Sequence, residues 1–326
     1  MNRYLYKYMS LRDGFFDEPM IRATPVFALN DPYEGRFNIK QVQDADRNHT
    51  EYYRENGQDV YDTDDYMCKE IAGCIQSDFF DLGVISFTED HNNPLMWAHY
   101  ADEHRGLVVE FDFEKPFFMD SIFELNGRKS RFGKTYLGDV FEFPEKVSYR
   151  REMPEFSRPE LSAPDDMDEF HWSKFNRTIL FTKSNDWIYE KELRSVVRLK
   201  DADSVICNDN EHVRRECSKD PSIQLRELDG GKIQVIFPSE YEMHEDMGDK
   251  SIKSEIYFLT KMLDEPAIHL FRINPESISG VYFGCKSDNH SALHEIKNNR
   301  LLSSLKQCYK IEVNSYFYQL DKKEIN

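Results

Sequence analysis

Short segments rich in β-branched and aromatic residues recur along most of the chain, and this recurrence constrains the fold more than any other feature. Few of them alternate with the long helices that would join parallel strands. The predicted strands are residues 4–8, 84–88, 107–113, 189–199, 232–237, 268–273, 278–283 and 309–318. The predicted helices are fewer and lie at residues 66–80, 251–264 and 288–304, with a short one from residue 93. This pattern predicts an α+β fold whose core is a mixed, largely antiparallel sheet.

Three polar or proline-bearing stretches are predicted to be peripheral loop insertions. They cover about residues 40–65, 151–169 and 200–231. The apolar segments between them are too short to form independent cores. We therefore expect residues 1–326 to fold as a single α+β domain.

Composition limits the class of partner. The 326 residues include 42 basic and 60 acidic side chains, a net charge of −18, which disfavours non-specific binding to nucleic acids and anionic membranes. No apolar run approaches the ~20 residues that a membrane-spanning helix needs. The six cysteines form no C-x-x-C pair, and we expect no secretory signal at the N-terminus. We expect a cytoplasmic protein with reduced thiols, no metal site, and a small molecule or a protein as partner.

Residues 93–106, NPLMWAHYADEHRG, predict a short helix with signals at both ends. Asn93 is a good N-cap, Pro94 suits the first helical position, and Gly106 is placed to end the helix in a left-handed conformation. Met96 and Trp97 share a face with other apolar residues, so both are predicted to be buried scaffold.

Polar side chains accompany this helix. His99 and His104 are five residues apart, about 140° around a helix, so they do not form a same-face metal pair. His99 is expected to face a cleft or its edge. Ser86 and Thr88 share one face of the preceding strand, where they either bond to a neighbouring loop or line a cleft.

A second constellation follows Trp187. If a strand starts at Tyr189, Glu190, Glu192 and Arg194 project from one of its faces, with the two carboxylates roughly 6–7 Å apart. One interpretation is a solvated edge strand with a Glu–Arg pair. The other is a carboxylate pair held on a rigid element to contact a sugar or to stabilise a cation.

Four blocks occur in an order that resembles a known bacterial family. They are Asn30-Asp31-Pro32-Tyr33-Glu34, Ile85-Ser86-Phe87-Thr88, Met96 to Ala101 with Gly106, and Trp187 to Arg194. Together they resemble the family catalogued as domain of unknown function 2971, over about residues 4–284. This resemblance implies no established activity.

A second, motif-level resemblance is to ADP-ribosyltransferases. Ser86-Phe87-Thr88 is similar to their Ser/Thr-x-Ser strand, and Glu190-Lys191-Glu192 is similar to their Glu-x-Glu strand. The early strand at residues 4–8 lacks the expected Arg or His, so Lys7 or Arg22 would have to replace it. The fold would then be ADP-ribosyltransferase-like.

This resemblance implies that NAD is a substrate and that ADP-ribose passes to an unknown acceptor, as in a toxin or an anti-phage defence effector. Glu192 would stabilise an oxocarbenium-like state, and Glu190 would orient or deprotonate the acceptor. Both are expected to open onto the same cleft as Ser86. The residues expected to bind NAD are Tyr6, Lys7, Arg22, Ser86, Thr88, His99 and Tyr189.

Two other functions remain open from the sequence. The chain could be a non-catalytic sensor or partner-binding protein of a defence system, in which the Trp–His–Tyr helix and the Glu–Arg strand are core and rim. It could also be a metal-dependent hydrolase or nuclease that uses His99, His104 and acidic residues.

Overall fold

The computed structural model describes residues 3–61, 63–119, 122–124, 127–129, 141–156, 171–238, 252–262 and 267–325. The chain divides into two compact units, each built from segments that are distant in sequence. Unit 1 comprises Met1–Ala23, Ser86–Arg131 and Leu199–Asn326, and unit 2 comprises Thr24–Ile85 and Phe132–Arg198. The expectation of a single domain over residues 1–326 stays a prediction.

The secondary structure confirms the α+β class. The strands are β1 (Tyr4–Met9), β2 (Met20–Pro25), β3 (Leu82–Thr88), β4 (Leu107–Asp112), β5 (Ile122–Glu124), β6 (Gly127–Lys129), β7 (Phe141–Lys146), β8 (Ser148–Arg150), β9 (Thr182–Ser184), β10 (Glu192–Arg198), β11 (Ser204–Asn208), β12 (Gln224–Leu228), β13 (Lys232–Ile236), β14 (Ile268–Arg272), β15 (Ile278–Phe283), β16 (Gln307–Val313) and β17 (Leu320–Ile325). The helices are α1 (Ile39–Glu55), α2 (Asp65–Phe80), α3 (Pro94–Tyr100), α4 (His171–Leu180), α5 (Glu211–Cys217), α6 (Ile252–Met262) and α7 (His290–Asn298). Among the described residues, none of these helices has the length and apolar character needed to cross a bilayer.

Unit 1 contains two runs of paired strands. One follows the order β12-β13-β11-β14-β2, and the other follows the order β3-β1-β4-β15-β16-β17. The pairs are antiparallel except β15 with β16, which is parallel. In the second run Tyr6 lies opposite both Thr88 and Glu110, so side chains from β3, β1 and β4 share one face. Phe87 packs against Phe113 and Phe117 at ring distances of 5.2 Å.

Unit 2 places helices against a smaller set of strands. The last residues of β2 pair with the start of β3, and β10 pairs with β3 and with β7. β8 and β9 form a separate parallel pair. Buried side chains of α1, α2 and α4, with Val84 and Val196 from the strands, form one apolar core.

Two predicted loops contain regular structure, so those predictions are wrong. The expected loop at 40–65 overlaps α1 (Ile39–Glu55), which begins with a capping box between Asn38 and Gln41. The polar composition of this segment is typical of a loop because only a narrow stripe of the helix, including Val42 and Ala45, is buried. The expected loop at 200–231 contains β11, α5 and β12. In the third loop, residues 151–156 are irregular, and residues 157–169 lie outside the described residues.

The predicted strand at 189–199 is corrected at its start. Residues Asn185–Glu190 form a 3₁₀ turn, which ends at Lys191 with a left-handed φ of 46°. β10 begins only at Glu192. Glu190 therefore precedes the strand, and only Glu192 and Arg194 share a strand face.

The helix from residue 93 starts as predicted and ends differently. The Asn93 side chain accepts hydrogen bonds from the backbone N–H groups of Leu95 and Met96 and caps α3. The helix stops at Tyr100, and the residues with positive φ are 102–104, not Gly106. A Cβ at Gly106 would lie 2.3 Å from the carbonyl oxygen of Met9, so this glycine permits close backbone packing.

Candidate functional site

A cluster of five charged side chains lies buried in unit 2. Its carboxylates are Glu34, Glu190 and Glu192, and its cations are Lys183 and Arg194. Each is between 1% and 6% exposed. Charged groups are rarely buried to this extent unless they are paired, and all five are paired here.

Arg194 forms the centre of the cluster. Its Nε donates to Glu192 Oε1 at 2.7 Å and its Nη2 to Glu192 Oε2 at 2.9 Å, a bidentate pair. Nη2 also donates to Glu34, and Nη1 donates to the carbonyl oxygen of Leu180 at 2.7 Å. β10 brings Glu192 and Arg194 to the same strand face, which explains the bidentate contact.

Lys183 joins all three carboxylates from β9. Its Nζ lies 2.6 Å from Glu190 Oε2, 3.0 Å from Glu192 Oε2 and 3.4 Å from Glu34 Oε1. The backbone N–H of Glu192 donates to the hydroxyl oxygen of Tyr149 on β8, at 2.8 Å. Tyr149 and Lys183 lie opposite each other in the β8–β9 pair, so this short ladder sets the geometry of the cluster.

The charged side chains of the cluster shift one another's pKa values. Burial alone would lower the pKa of Lys183, but Glu192, Glu34 and Glu190 outweigh it and raise that pKa above its ordinary value. Burial raises the pKa of Glu34, and Glu192 adds to the effect, against the attraction of Arg194 and Lys183. Glu34 therefore takes up a proton more readily than an exposed glutamate.

A cavity of about 370 Å³ adjoins the cluster in unit 2. The residues that line it are Asp31, Tyr33, Arg36, Arg150, Arg151, Glu152, Met153, Pro154, Ile179, Thr182, Lys183, Ser184 and Asp186. Its size lies within the range of small-molecule sites. Lys183 belongs both to the cavity wall and to the buried cluster, so it connects the two.

Three guanidinium groups make the cavity rim basic. Arg36, Arg150 and Arg151 are exposed, and within the described part of the chain no ion pair engages any of them. Arg150 lies opposite Ser184 in the β8–β9 ladder, which places a hydroxyl beside the guanidinium rim. Guanidinium groups bind phosphate oxygens in proteins through charge-assisted hydrogen bonds.

The same cavity also contains hydrogen-bond acceptors. Asp31 is 3% exposed, and its Oδ1 accepts from the backbone N–H of Tyr33 at 3.0 Å. Asp186 accepts from the hydroxyl of Ser184 at 3.1 Å. The ring of Tyr33 is 65% exposed, so a planar group at the rim could stack on it. The wall therefore combines hydrogen-bond donors for an anion, carboxylate acceptors for a hydroxyl group, and an aromatic face.

The residues predicted for an NAD site divide between the units. Tyr6, Lys7, Arg22, Ser86, Thr88 and His99 lie in unit 1, whereas Tyr189, Glu190 and Glu192 lie in unit 2. The expected cleft shared by Ser86 and the two glutamates stays a prediction.

Within unit 1, the predicted residues have local partners. Lys7 Nζ donates to the carbonyl oxygen of Ser86 at 2.9 Å, and Thr88 Oγ1 accepts from the N–H of Asp90 at 3.1 Å. His99 is exposed and lies beside Tyr100, while Arg22 is exposed on β2.

Tyr189 in unit 2 lies 6.3 Å from the ring of Trp187. Burial raises its pKa, and the charge of Glu190 acts in the same direction. The buried scaffold predicted for α3 is confirmed, since Trp97 is 0% and Met96 7% exposed.

The arginines of the basic rim are not among the site residues predicted from the sequence. Arg150 and Arg151 form a dibasic pair at the start of a proline-bearing segment, and this local signal was available. Arg36 and Lys183 carried no signal, because their shared position depends on elements almost 150 residues apart. No group of three or more His, Cys, Asp or Glu side chains suited to a metal ion occurs among the described residues.

Comparison with known proteins gives a family match over part of the chain and no activity. Residues 96–195 match the family described as "Protein of unknown function (DUF2971)", which confirms the resemblance seen in the sequence over this segment. The matched segment contains Arg150, Lys183, Glu192 and Arg194, whereas Glu34 precedes it. No curated protein and no solved structure matches the chain.

Proposed function

We propose that unit 2 binds a small phosphate-bearing molecule of the nucleotide class and that the protein acts as a sensor of that ligand. Residues 96–195 match a family of unknown function, so the proposal rests on the geometry of the cavity. The observation that carries it is the set of three arginines without an ion pair among the described residues, gathered around one cavity. In a chain of net charge −18, such a set is a local exception to the overall charge.

The chemistry of the wall supports a nucleotide over a simple anion. Arg36 and Arg150 offer donors to phosphate oxygens, whereas the exposed Asp186 offers an acceptor to a hydroxyl group of a ribose. Tyr33 offers a stacking face to a base. Inorganic phosphate would use only the first of these three features.

The state of the glutamates favours a sensor over an enzyme. Glu192 is 4% exposed, and both of its oxygens are bonded to Arg194 or Lys183. A carboxylate that stabilises a cationic transition state must lie open to the sugar. Glu190 is likewise held by Lys183.

The experiment is calorimetric titration with NAD, ADP and inorganic phosphate. We expect ADP or NAD to bind more tightly than phosphate, and Arg150→Ala and Arg36→Ala each to weaken binding about 10- to 100-fold, since a charge-assisted hydrogen bond contributes about 1.5–3 kcal/mol. Arg177→Ala is the matched control, because Arg177 is an exposed arginine of unit 2 that pairs with Glu145 outside the cavity wall. The proposal fails if no probe binds at millimolar concentration, or if all three variants bind equally well.

A second candidate function is ADP-ribosyl transfer from NAD. One observation favours it: Lys183 lies in the cavity wall while its Nζ holds both Glu190 and Glu192. A ligand phosphate that attracts this ammonium group would remove it from both carboxylates, and Glu192 would then be held by Arg194 alone. Incubation of the protein with labelled NAD and a cell lysate tests this function, and it requires that turnover disappear in Glu192→Gln. The metal-dependent hydrolase has no residue constellation among the described residues that favours it.

A further inference from the structure

Four aromatic rings meet in unit 1, far along the chain from one another. The ring centroid of Tyr6 on β1 lies 4.9 Å from that of His91, which lies 4.6 Å from that of Tyr282 on β15. Tyr282 stacks on Tyr309 of β16 at 4.9 Å, with the two ring planes 17° apart. Tyr282 is 3% exposed, so its neighbours cover nearly all of it. We call these four residues the ring cluster.

A cation already occupies the ring cluster. The ammonium nitrogen of Lys322, on β17, lies 4.7 Å from the ring centroid of Tyr309 and 5.4 Å from that of Tyr282. Both distances lie within the ≈ 6 Å over which an aromatic face attracts a cation. Lys322 is itself exposed, and β17 is the last strand in its run. Its side chain can therefore leave the rings without disturbing a core.

A carboxylate lies beside the rings and strengthens their attraction for a cation. Glu110 Oε2 accepts a hydrogen bond from the Tyr282 hydroxyl at 3.0 Å, and its Oε1 accepts from Ser279 at 2.7 Å. These bonds fix the carboxylate and leave its charge uncompensated by the two neutral donors. The negative charge favours a cation at the adjacent rings.

The histidine of the ring cluster does not oppose a cation. Burial lowers the pKa of His91, and the positive charge of Lys322 acts in the same direction, against Asp90 and Glu110. The ring is thus neutral near pH 7. Its backbone is held in place because the Trp97 indole N–H donates to the His91 carbonyl oxygen at 3.0 Å.

We propose that the ring cluster, with Glu110 beside it, is a binding site for the alkylammonium group of a small ligand, and that Lys322 occupies it as an internal competitor. Aromatic faces combined with a fixed carboxylate select cations over neutral groups of the same shape. The ligand must displace Lys322, so removal of that side chain opens the site. This site does not depend on the cavity of unit 2.

The test is a titration of the full-length protein with N-acetyl trimethyl-lysine amide, followed by tyrosine-sensitive NMR or calorimetry. The neutral probe is its isostere, in which a carbon atom replaces the ammonium nitrogen. We expect Lys322→Ala to bind the cationic probe about tenfold more tightly than the wild type and not to bind the neutral probe, since a desolvated cation–π contact is worth about 1–2 kcal/mol. Adding Tyr309→Leu to Lys322→Ala should remove this gain.

Lys323→Ala provides the matched control. Lys323 is the next residue of β17, is exposed, and lies 3.7 Å from Glu312. This variant should bind the cationic probe as the wild type does. The proposal is wrong if Lys322→Ala fails to bind the cationic probe at millimolar concentration, if it binds both probes equally, or if Lys323→Ala gives the same gain. A circular dichroism melt of each variant verifies that it is folded.

Discussion

Replacing Glu192 by glutamine tests whether the buried cluster supports the fold. The glutamine side chain would keep the size of the glutamate but replace one carboxylate oxygen with an NH₂ group. In the wild type Oε1 accepts from Arg194 Nε at 2.7 Å, and Oε2 accepts from Arg194 Nη2 at 2.9 Å and Lys183 Nζ at 3.0 Å. In either orientation of the amide, at least one cationic donor would face another donor.

The expected loss follows from the number of bonds broken. The amide can turn so that only the bond from Arg194 Nε is lost, at about 1.5–3 kcal/mol for a hydrogen bond to a charged group, so Glu192→Gln should lower the free energy of unfolding by about 1.5–3 kcal/mol. The loss falls below that of removing a whole partner from a buried ion pair, about 3–5 kcal/mol, since Gln still offers one acceptor. Urea unfolding at pH 7, followed by circular dichroism, measures it.

The control for this experiment is the same substitution at an exposed pair of unit 2. Glu145 pairs with Arg177, whose side chain is 55% exposed, so Glu145→Gln should change the free energy of unfolding by less than about 1 kcal/mol. If Glu192→Gln is as stable as the wild type and abolishes NAD turnover, the structural reasoning is refuted and Glu192 is catalytic. If both variants lose the same amount, burial does not determine the effect.

Three further predictions concern stability, each measured by urea unfolding. Trp97→Ala should cost about 3–5 kcal/mol, because the side chain is 0% exposed, and an unchanged stability would show that Trp97 is no scaffold. Gly106→Ala should lower the free energy of unfolding, because the added Cβ would lie 2.3 Å from a backbone oxygen. Gly73→Ala in α2 should raise it by up to about 1 kcal/mol, since no atom lies within 4 Å of the added Cβ. A Gly106→Ala variant more stable than Gly73→Ala would contradict both predictions. Burial lowers the pKa of His269 to about 4; the charge of Arg22 also lowers this pKa, and a hydrogen bond with the Ala267 backbone raises it. The buried neutral ring therefore makes its full contribution to the free energy of unfolding above pH about 6.5. That contribution, up to about 3 kcal/mol, should be lost as the pH falls to about 4, and an equal fall in His269→Leu would refute its assignment.

Local signals in the sequence predicted much of the fold. The alternation and β-branched content of residues 107–113 and 278–283 match β4 and β15, and the Asn93-Pro94 start of α3 is present as predicted. These features depend on backbone conformation and on hydrogen bonds to neighbouring residues, which a short window contains. Local composition did not predict α1, because a helix of which only a narrow stripe is buried has the polar composition of a loop.

The sequence by itself predicted the α+β class, the resemblance to a family that residues 96–195 match, and the presence of two glutamates and an arginine at the start of β10. Only the tertiary structure decided what those side chains do. Arg194 and its partner Glu34 are 160 positions apart in the chain, and Lys183 reaches Glu190 and Glu192 from another strand. A charge is exposed or buried, and free or paired, according to which distant groups exclude water from it. Sequence spacing contains no measure of that, so an open catalytic pair and a closed ionic cluster have the same local pattern.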